Sequence, residues 1–598
     1  MKNLQFIKNR RFALAALFIV LLSSVIGAAL SGAQRSTASI SVNKEGDTSL
    51  LETSPRKTAS GTPVELVEND YREALTAVKE NYASEVDYEK VNASAIQSML
   101  WTLDPHSSFF TRAEFTKLRE DQNASFYGIG VSILRHRDGV YVQSVFAGSP
   151  ADRAGLRWGD RIVEIDRQDA REWTTQQVSK SVRGERGGTV NVCVERASTP
   201  APQYFTLVRD AVPVPSIRTS YIVRPGVGYI GLTGGFTSTT DTELRRAISD
   251  LKRAGARELV LDLRNNPGGM LEKSVSVAGE FLPHDAVVVS VKGRAEERPR
   301  VYKNSESAPE NFPLVVLING NSASASEIVT GALQDHGRAI VVGETSFGKG
   351  LVQHVLQLPF GAGLTLTTAK YYTPYGRSIQ RDYSNGSLYD YYAHHDSANE
   401  SSATQTTSSS QQPAQPTAPA APDASVIAPS PQPTPSGPAV RTAAGRVFYG
   451  GGGITPDIEV KPLDTASPLR ARIYEAAFHF TRQLVAGKLA GLENYRAERT
   501  QSERASRQFD FPVTDRVVEA FRNYIRQDAA AGLTPAQLDA DLDFAKLRIR
   551  EEIAAAAFGS DAATRELLEA DPQLLRSIEA LPEAKRLAER VGNKVGTG

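Results

Sequence analysis

The chain has 598 residues, more than one domain usually holds, and its length suggests three or four domains. Lysine plus arginine equals aspartate plus glutamate at 68 each, so the zero net charge gives no electrostatic argument for a nucleic-acid partner. The single cysteine, Cys193, excludes an intrachain disulfide and a cluster of thiolate metal ligands. No two of the eight histidines form an HExxH zinc-binding pair.

Residues 12–33 carry no charge and are largely apolar. Four basic residues precede them: Lys2, Lys8, Arg10 and Arg11. About 20 apolar residues span a bilayer as a helix, and basic flanks stay on the cytoplasmic side. We favour a retained anchor over a cleaved signal peptide with a cleavage site at 31–33, because the stretch is long for a signal peptide. Both interpretations predict export.

Residues 126–212 form a distinct β-rich segment. Glycines open a strand at Tyr127, Gly128, Ile129 and Gly130, and SPADRAGLRWGDRIVEI follows as a short helix, a turn and a strand. This order of elements and motifs resembles a PDZ domain. The resemblance implies that N–H groups of the loop at 127–130 receive a terminal carboxylate, while the next strand pairs with the bound peptide. The alternative is a β-rich domain whose glycines only form turns.

Strands alternate with helices after residue 226, which indicates an α/β core. Apolar runs predict buried strands at 314–318 and 339–342, with a helix between them at 322–336. A serine cluster lies at the start of that helix, and a glycine-rich loop after the second strand contains Lys349.

Two interpretations of Lys349 compete. Gly343-x4-Gly348-Lys349 looks like a phosphate-binding P-loop. However, Gly350 stands where a P-loop has a magnesium-binding hydroxyl, and an alternating strand pattern follows where a P-loop opens a helix. Nucleotide binding is therefore disfavoured.

The other interpretation is a serine nucleophile with Lys349 as its base. A neutral amine is required, and lowering its pKa of about 10.4 by about three units corresponds to roughly 4 kcal/mol of burial or charge effects. The apolar neighbours that could supply this are Phe347, Leu351 and Val352. Gln353, four residues further on, could orient the amine.

The residues alone do not identify the nucleophile among Ser322, Ser324 and Ser326. Ser324 with Glu327 also spells a capping box, which gives that serine a purely structural alternative role.

The segment NGNSASASEIVTGALQDHGRAIVVGETSFGKGLVQ resembles the catalytic region of the C-terminal processing (tail-specific) serine proteases. LDPHSSFF, the PDZ-like segment, DLRNNPGG, TPYGRSIQ and GGGGITPDIEV resemble the same family in the same order. The resemblance covers about 63–460, apart from a low-complexity insert. It implies that Ser324 is the nucleophile, that Lys349 is the general base and that Gln353 assists the base. It also implies an oxyanion hole built from the N–H groups of Ala325 and Gly269.

The implied fold is α/β, with a crotonase-like ββα protease core and an inserted PDZ domain. The predicted division is an anchor or signal sequence (1–33), a flexible spacer (34–62), an N-terminal helical domain (63–121), the PDZ domain (122–212), the protease core (213–396), a disordered Pro/Ser/Thr-rich insert (397–441), the end of the core (442–462) and a helical C-terminal region (463–598).

The resemblance implies hydrolysis, through an acyl-enzyme and without metal or cofactor, of exported proteins selected by their C-terminal residues. The expected location is the extracytoplasmic side of the cell envelope, with a membrane contact through the N-terminal segment, no nucleic-acid partner, and a homo-oligomer left open. Two rivals are a PDZ scaffold without catalysis and a triad that uses His336 or His354. The second is disfavoured because His354 alternates to the strand face opposite Gln353.

Overall fold

A computed structural model describes residues 62–122, 125–294, 298–306, 308–383, 437–442, 445–465, 467–497 and 511–595. The chain divides into two compact units, Met1–Val86 and Asp87–Gly598. None of the helices in the described ranges combines the length and apolar character that crossing a bilayer requires. The predicted anchor, residues 34–61 of the spacer and residues 397–436 of the insert lie outside the described residues.

In the first unit the described element is the helix Pro63–Asn81. Its start is a capping box, in which Thr62 N donates to Glu65 Oε2 at 2.8 Å and Glu65 N donates to Thr62 Oγ1 at 3.4 Å. No residue of this helix is buried, and the next helix, Tyr88–Trp101, belongs to the second unit.

A six-stranded sheet within the described part of the second unit forms the centre of the fold, and we call it the central sheet. Its first pair of strands is antiparallel and the others are parallel. In spatial order the strands are Ile217–Arg224, Val227–Leu232, Glu258–Asp262, Leu314–Ile318, Ile340–Gly343 and Ile458–Glu459. Both faces are covered, which explains why Leu314–Ile318 is apolar at every position.

The two faces are covered by different parts of the chain. On one face lie the helices Thr240–Arg253, Leu271–Gly279 and Ala325–Asp335, packed through Leu244, Val277 and Val329. On the other lies the C-terminal helix Pro572–Val595, packed through Leu574 and Leu581 against Val315 and Val342. The C-terminal region therefore supplies one layer of the core.

An antiparallel sheet, here called the second sheet, holds the strand that follows Lys349. Among the described residues its strands are Ser108–Phe110, Val287–Gly293, Arg300–Lys303, Leu351–Gln357 and Gly363–Tyr372. The long strand Gly363–Tyr372 pairs with both Ser108–Phe110 and Leu351–Gln357. The LDPHSSFF motif is thereby placed beside the lysine loop.

The PDZ segment is an antiparallel sheet with two helices. Its described strands are Val131–His136, Gly139–Val145, Arg161–Ile165, Gln168–Asp169, Thr189–Glu195 and Gln203–Val208; its helices are Pro150–Ala154 and Thr175–Val182. Strands Ser125–Gly128 and Asp210–Pro213 pair where the chain enters and leaves the segment. Cys193 is buried in this sheet, as expected for a small apolar side chain.

Helices dominate the rest of the described chain. Their bounds are Arg112–Gln122, Pro468–Val485, Asp515–Gln527, Pro535–Ala540, Leu542–Phe558 and Ser560–Glu569, with 3-10 turns at Glu493–Tyr495 and Ala529–Ala531. The strands Ala439–Arg441 and Val447–Tyr449 form a hairpin. The first of them lies inside the predicted disordered insert (397–441), so the bound at 441 was wrong: strand pairing orders residues that composition alone marks as disordered.

The helix Pro468–Val485 packs against the PDZ segment. The Phe478 ring stacks on His136 with centroids 3.6 Å apart and planes 4° from parallel. Glu475 accepts from His136 Nδ1 at 2.8 Å and from Arg137 N at 2.9 Å, and its other neighbour is His479 Nε2 at 3.1 Å. Glu475 therefore joins the helix to the PDZ segment through His136 and Arg137.

Candidate active site

The structure distinguishes the three serines. The Ser322 hydroxyl donates to Leu263 O at 2.8 Å, and the Ser326 hydroxyl donates to Asn266 O at 3.0 Å. Both side chains are fully buried, whereas Ser324 is only half-buried. Ser322 and Ser326 therefore fasten the helix start to the DLRNNPGG turn, and Ser324 faces accessible space.

Ser324 is the residue before the helix Ala325–Asp335, and its backbone has φ +54° and ψ −112°. A non-glycine residue in such a conformation costs about 1–3 kcal/mol and persists only where its surroundings enforce it. Glu327 does so, because its Oε2 accepts from Ser324 N at 2.8 Å. This contact is the half of the predicted capping box in which the glutamate binds the serine backbone.

Glu327 also binds the lysine loop. Its Oε2 accepts from Lys349 N at 2.9 Å, so one oxygen atom holds the backbone N–H groups of both Ser324 and Lys349. Its Oε1 accepts from Gly348 N at 2.7 Å and from the Ser346 hydroxyl at 2.5 Å. Burial raises the pKa of Glu327 to about 7, while these hydrogen bonds act in the opposite direction.

Tyr371 makes a second link between the same two residues. Its hydroxyl lies 3.0 Å from the Ser324 carbonyl oxygen and also contacts the Lys349 carbonyl oxygen. Glu327 thus holds the two N–H groups and Tyr371 the two carbonyls. The backbones of the predicted nucleophile and the predicted base are fixed side by side.

Desolvation lowers the pKa of the Lys349 amine below its usual value, and the charges of Asp104 and Glu327 raise it. Lys349 Nζ donates to Gln353 Oε1 at 3.0 Å. Lys349 itself precedes the strand Leu351–Gln357, and a register irregularity lies between Val352 and Gln353. The predicted contact between the lysine and the glutamine forms, although the two do not alternate along one regular strand.

The DLRNNPGG turn approaches the helix start closely. Gly268 has φ +100°, and a Cβ placed on it would lie 2.7 Å from Ser324 Cβ and 2.9 Å from Ala325 N. Gly269 is exposed, and the N–H groups of Ala325 and Gly269 have no acceptor among the described residues. The two predicted oxyanion donors therefore remain available on the side of Ser324.

The predicted carboxylate-binding loop of the PDZ segment, residues 127–130, is held in place by strand pairing and by the hydrophobic core. Tyr127 and Gly128 pair with Ala211 and Asp210, and Ile129 enters the hydrophobic core. The carbonyls of Ile129 and Gly130 accept from Ala151 N at 2.8 Å and Phe146 N at 3.0 Å. The N–H groups of Ile129 and Gly130 donate to no described residue, so they are available to a peptide.

The structure disfavours the rival sites. A strand, Leu351–Gln357, follows the glycine-rich loop, so no helix dipole points at a phosphate there. His336 ends the helix that Ser324 begins, about 18 Å away along the axis, and its Nε2 lies 2.7 Å from Val287 O. His354 is exposed on its strand.

Sequence reasoning missed three groups at this site. The shared carboxylate of Glu327 and the Tyr371 hydroxyl are two of them. The third is the turn at 104–107, whose His106 carbonyl accepts from Gln353 Nε2. The LDPHSSFF motif was the available signal for this turn, although its spacing from Lys349 gives no indication of contact.

The chain is similar to known proteases over its PDZ segment and its core. The Peptidase family S41 model matches residues 226–391, and the PDZ domain model matches residues 117–195. A carboxy-terminal-processing protease of Bartonella bacilliformis is 37% identical over 308 residues, which cover 51% of this chain and 70% of that protein. A carboxyl-terminal-processing protease of Synechocystis is 37% identical over 294 residues, covering 48% and 68%.

Two solved structures are also similar. The photosystem II D1 C-terminal processing protease matches at 30% identity over 52% of this chain and 83% of its own, with a TM-score of 0.31. The peptide-bound PDZ domain of a carboxy-terminal protease from Vibrio cholerae matches at 28% identity over 15% of this chain and 97% of its own, with a TM-score of 0.14.

Proposed function

The chain belongs to the carboxy-terminal-processing proteases of peptidase family S41, and we propose that it cleaves proteins selected by their C-terminal tails through a Ser324–Lys349 dyad. Family membership confirms the resemblance drawn from the motifs and makes the protein a serine-type peptidase with a PDZ domain. The dyad, the acyl-enzyme and export are the proposed parts.

The observation that carries the dyad is the double link between nucleophile and base. One oxygen of Glu327 binds the N–H groups of Ser324 and Lys349, and Tyr371 bridges their carbonyls. A base must lie within hydrogen-bond reach of the proton it accepts and must be neutral at the working pH. Desolvation of Lys349 favours the neutral amine.

The reaction follows from these positions. Neutral Lys349 accepts the proton of the Ser324 hydroxyl as its oxygen attacks the scissile carbonyl carbon. The N–H groups of Ala325 and Gly269 stabilise the oxyanion that forms. The C–N bond then breaks as Lys349 returns the proton to the leaving amine, and Lys349 activates a water molecule that hydrolyses the acyl-enzyme. Gln353 orients the amine throughout.

The PDZ domain supplies selection in this proposal. The free N–H groups of Ile129 and Gly130 take the substrate's terminal carboxylate, and the strand Val131–His136 pairs with the tail. We further propose a crotonase-like ββα arrangement for the core, export through residues 1–33, and a membrane-anchored location at the extracytoplasmic face. A homo-oligomer is compatible with all of these.

The dyad is tested with Ser324→Ala and Lys349→Ala on a protein substrate that ends in small apolar residues. Both variants are expected to lose turnover while keeping the wild-type unfolding transition. Ser326→Ala is the matched control, since it removes a neighbouring hydroxyl; it is expected to retain turnover and lose about 1 kcal/mol of stability. Turnover by purified Lys349→Ala would contradict the dyad.

Tail recognition is tested separately with matched peptides that end in a free carboxylate or a carboxamide. Amidation removes the charge that the PDZ loop would bind, so kcat/KM is expected to fall about tenfold or more. Equal cleavage of both peptides would remove the tail-reading role of the PDZ loop. Tail binding without cleavage by the wild-type protein would favour the non-catalytic scaffold instead.

A further inference from the structure

The turn at residues 104–107 reaches the predicted base from a distant part of the sequence. It follows the helix Tyr88–Trp101 and lies more than 240 residues before Lys349. Gln353 Nε2 donates to the His106 carbonyl oxygen, and Gln353 Oε1 accepts from Lys349 Nζ at 3.0 Å. One side-chain amide therefore connects the turn to the lysine.

The peptide group between His106 and Ser107 is held on both sides. Its carbonyl accepts from Gln353, and its N–H, which belongs to Ser107, donates to Asp104 Oδ1 at 2.8 Å. The result is an unbroken hydrogen-bond chain that runs from the Asp104 carboxylate through this peptide and the Gln353 amide to the Lys349 amine. Hydrogen bonds in such chains polarise and strengthen one another.

The hydrogen-bond chain fixes which end of the Gln353 amide faces the lysine. A backbone carbonyl can only accept, so the group that faces His106 must be the NH2 of Gln353. The amide oxygen is then turned toward Lys349, where it accepts one amine hydrogen and leaves the nitrogen lone pair free for another partner. Without the His106 carbonyl, the amide would lose the contact that selects this orientation.

Asp104 holds the turn in its shape. It is 6% exposed and also accepts from His106 N at 2.8 Å and from the Ser107 hydroxyl at 2.7 Å. Ser107, itself fully buried, accepts from Thr367 N at 3.1 Å, which fastens the turn to the second sheet opposite Gln353. Gln97 holds the far end of the turn, because its Nε2 donates to Ser107 O at 3.3 Å, whereas Asp104 holds the His106–Ser107 peptide itself.

The charged or titratable groups around the Lys349 amine and the turn are Asp104, Glu327, His106, Arg381 and Tyr383. Asp104 and Glu327 raise the pKa of Lys349 against the effect of desolvation. Burial, together with the charge of Lys349, lowers the pKa of His106 to about 3, and Arg381 acts in the same direction on His106. The imidazole is thus neutral at working pH, and Asp104 is the negative charge that the turn brings to the lysine.

We propose that Asp104 is a positioning residue for the base, holding the His106 carbonyl so that Gln353 presents its amide oxygen to Lys349. This proposal rests on the Ser324–Lys349 dyad. It gives the LDPHSSFF motif a positioning role at the site, exerted through Gln353.

The test is the pH dependence of kcat/KM for full-length wild type, Asp104→Asn and Gln353→Glu with one peptide substrate. Asp104→Asn keeps one oxygen for the two turn N–H groups but loses the charge and the acceptor of the Ser107 hydroxyl. The loss of charge is expected to move the acidic limb of the pH profile down by about 0.5–1 pH unit. Weaker positioning is expected to lower kcat about tenfold with KM unchanged. Gln353→Glu puts a carboxylate beside the amine, so the limb is expected to move up by a similar amount.

Asp87→Asn is the matched control. Asp87 is exposed and caps the start of the helix Tyr88–Trp101, which precedes the turn; it accepts from Lys90 N at 3.0 Å. The Asp87→Asn variant is expected to keep the wild-type pH profile of kcat/KM. A merely structural role of Asp104 would lower activity at every pH without moving the limb.

The outcomes separate this proposal from the dyad. An unshifted limb in Asp104→Asn, with Lys349→Ala inactive, would overturn the positioning role and leave the dyad in place. Turnover by Lys349→Ala would overturn both. If Asp104→Asn does not fold, the pH profile of Gln353→Glu is the test, because Gln353 is the other end of the hydrogen-bond chain. An unchanged profile of Gln353→Glu would overturn the proposal.

Discussion

Glu327 shows how one side chain combines structural and catalytic demands. Its carboxylate is almost fully buried and accepts from Ser324, Lys349, Gly348 and Ser346. Four donors fit two carboxylate oxygens, whereas an amide would turn its own N–H groups toward two of them. The capping-box pattern predicted the contact with Ser324 but not the contacts with the lysine loop.

Glu327→Gln is therefore expected to separate the two backbones and lower kcat by about 100-fold or more. Steady-state kinetics on the tail-bearing substrate measures this loss. Wild-type turnover by the variant would show that the shared oxygen does not position the dyad.

The same residue predicts a pH dependence of stability. Its folded pKa of about 7 lies above the ordinary value of 4.5, so its contribution is fully present below about pH 4.5 and is lost as pH rises through 7. The loss corresponds to about 3 kcal/mol. Urea unfolding of wild type and Glu327→Gln at pH 4.5 and pH 8 measures it: the stability advantage of wild type is expected to shrink at pH 8. A constant difference would contradict the raised pKa.

At the scale of elements, the site depends on how closely a turn can approach a helix start. Gly268 lies in the left-handed region, and the space its side chain would fill is occupied by Ser324 Cβ and Ala325 N. The DLRNNPGG turn is also tied to the C-terminal helix, because Arg264 donates to Asp571 Oδ2 at 2.6 Å and Gln573 Oε1 at 2.8 Å. The turn therefore links the helix start to the layer beneath the central sheet.

Gly268→Ala is expected to displace Ser324 and lower kcat about 100-fold. Gly376→Ala is the control, since Gly376 has a similar φ of +85° but a Cβ placed on it would meet nothing within 4 Å. Both variants incur the left-handed cost of about 1–2 kcal/mol, and only the first should lose turnover. Equal kinetic losses would attribute the effect to backbone strain alone.

At the scale of the whole molecule, the C-terminal region packs against both the central sheet and the PDZ domain. Its last helix covers one face of the central sheet, and its helix Pro468–Val485 packs on the PDZ domain through Phe478. The orientation of the PDZ domain within this unit therefore depends on residues more than 250 positions beyond it.

Phe478→Ala is expected to lower stability by about 3–5 kcal/mol and to loosen the PDZ domain. Phe480→Ala is the matched variant: Phe480 is equally buried on the same helix but packs on Phe521, with ring centroids 5.0 Å apart, inside the helical region. Hydrogen exchange in the strands Val131–His136 and Gly139–Val145 distinguishes them, because only Phe478→Ala should speed exchange there. Equal exchange in the two variants would contradict the docking role.

Deleting residues 397–436 is expected to leave the unfolding transition and turnover unchanged, because Ser, Thr, Gln, Pro and Ala offer little apolar surface to bury. Thermal unfolding and kinetics of the shortened chain measure this. Loss of folding would show that the insert packs.

The sequence by itself determined the family and the main strands and helices of the core. The apolar runs at 314–318 and 339–342 became the strands Leu314–Ile318 and Ile340–Gly343, because a short apolar run indicates a strand buried on both faces. The choice of Ser324 as the nucleophile came from the resemblance to a family, since the residues alone left three serines open.

Only the tertiary structure decided which groups meet. Asp104, His106 and Tyr371 reach the site through strand pairing in the second sheet, and Glu327 reaches Lys349 because its helix start faces the lysine loop. The C-terminal region was predicted as helical, but the sequence did not indicate that its last helix packs on the central sheet. Local pattern specifies a buried face, whereas the group that covers it is fixed by long-range packing, which short-range periodicity does not record.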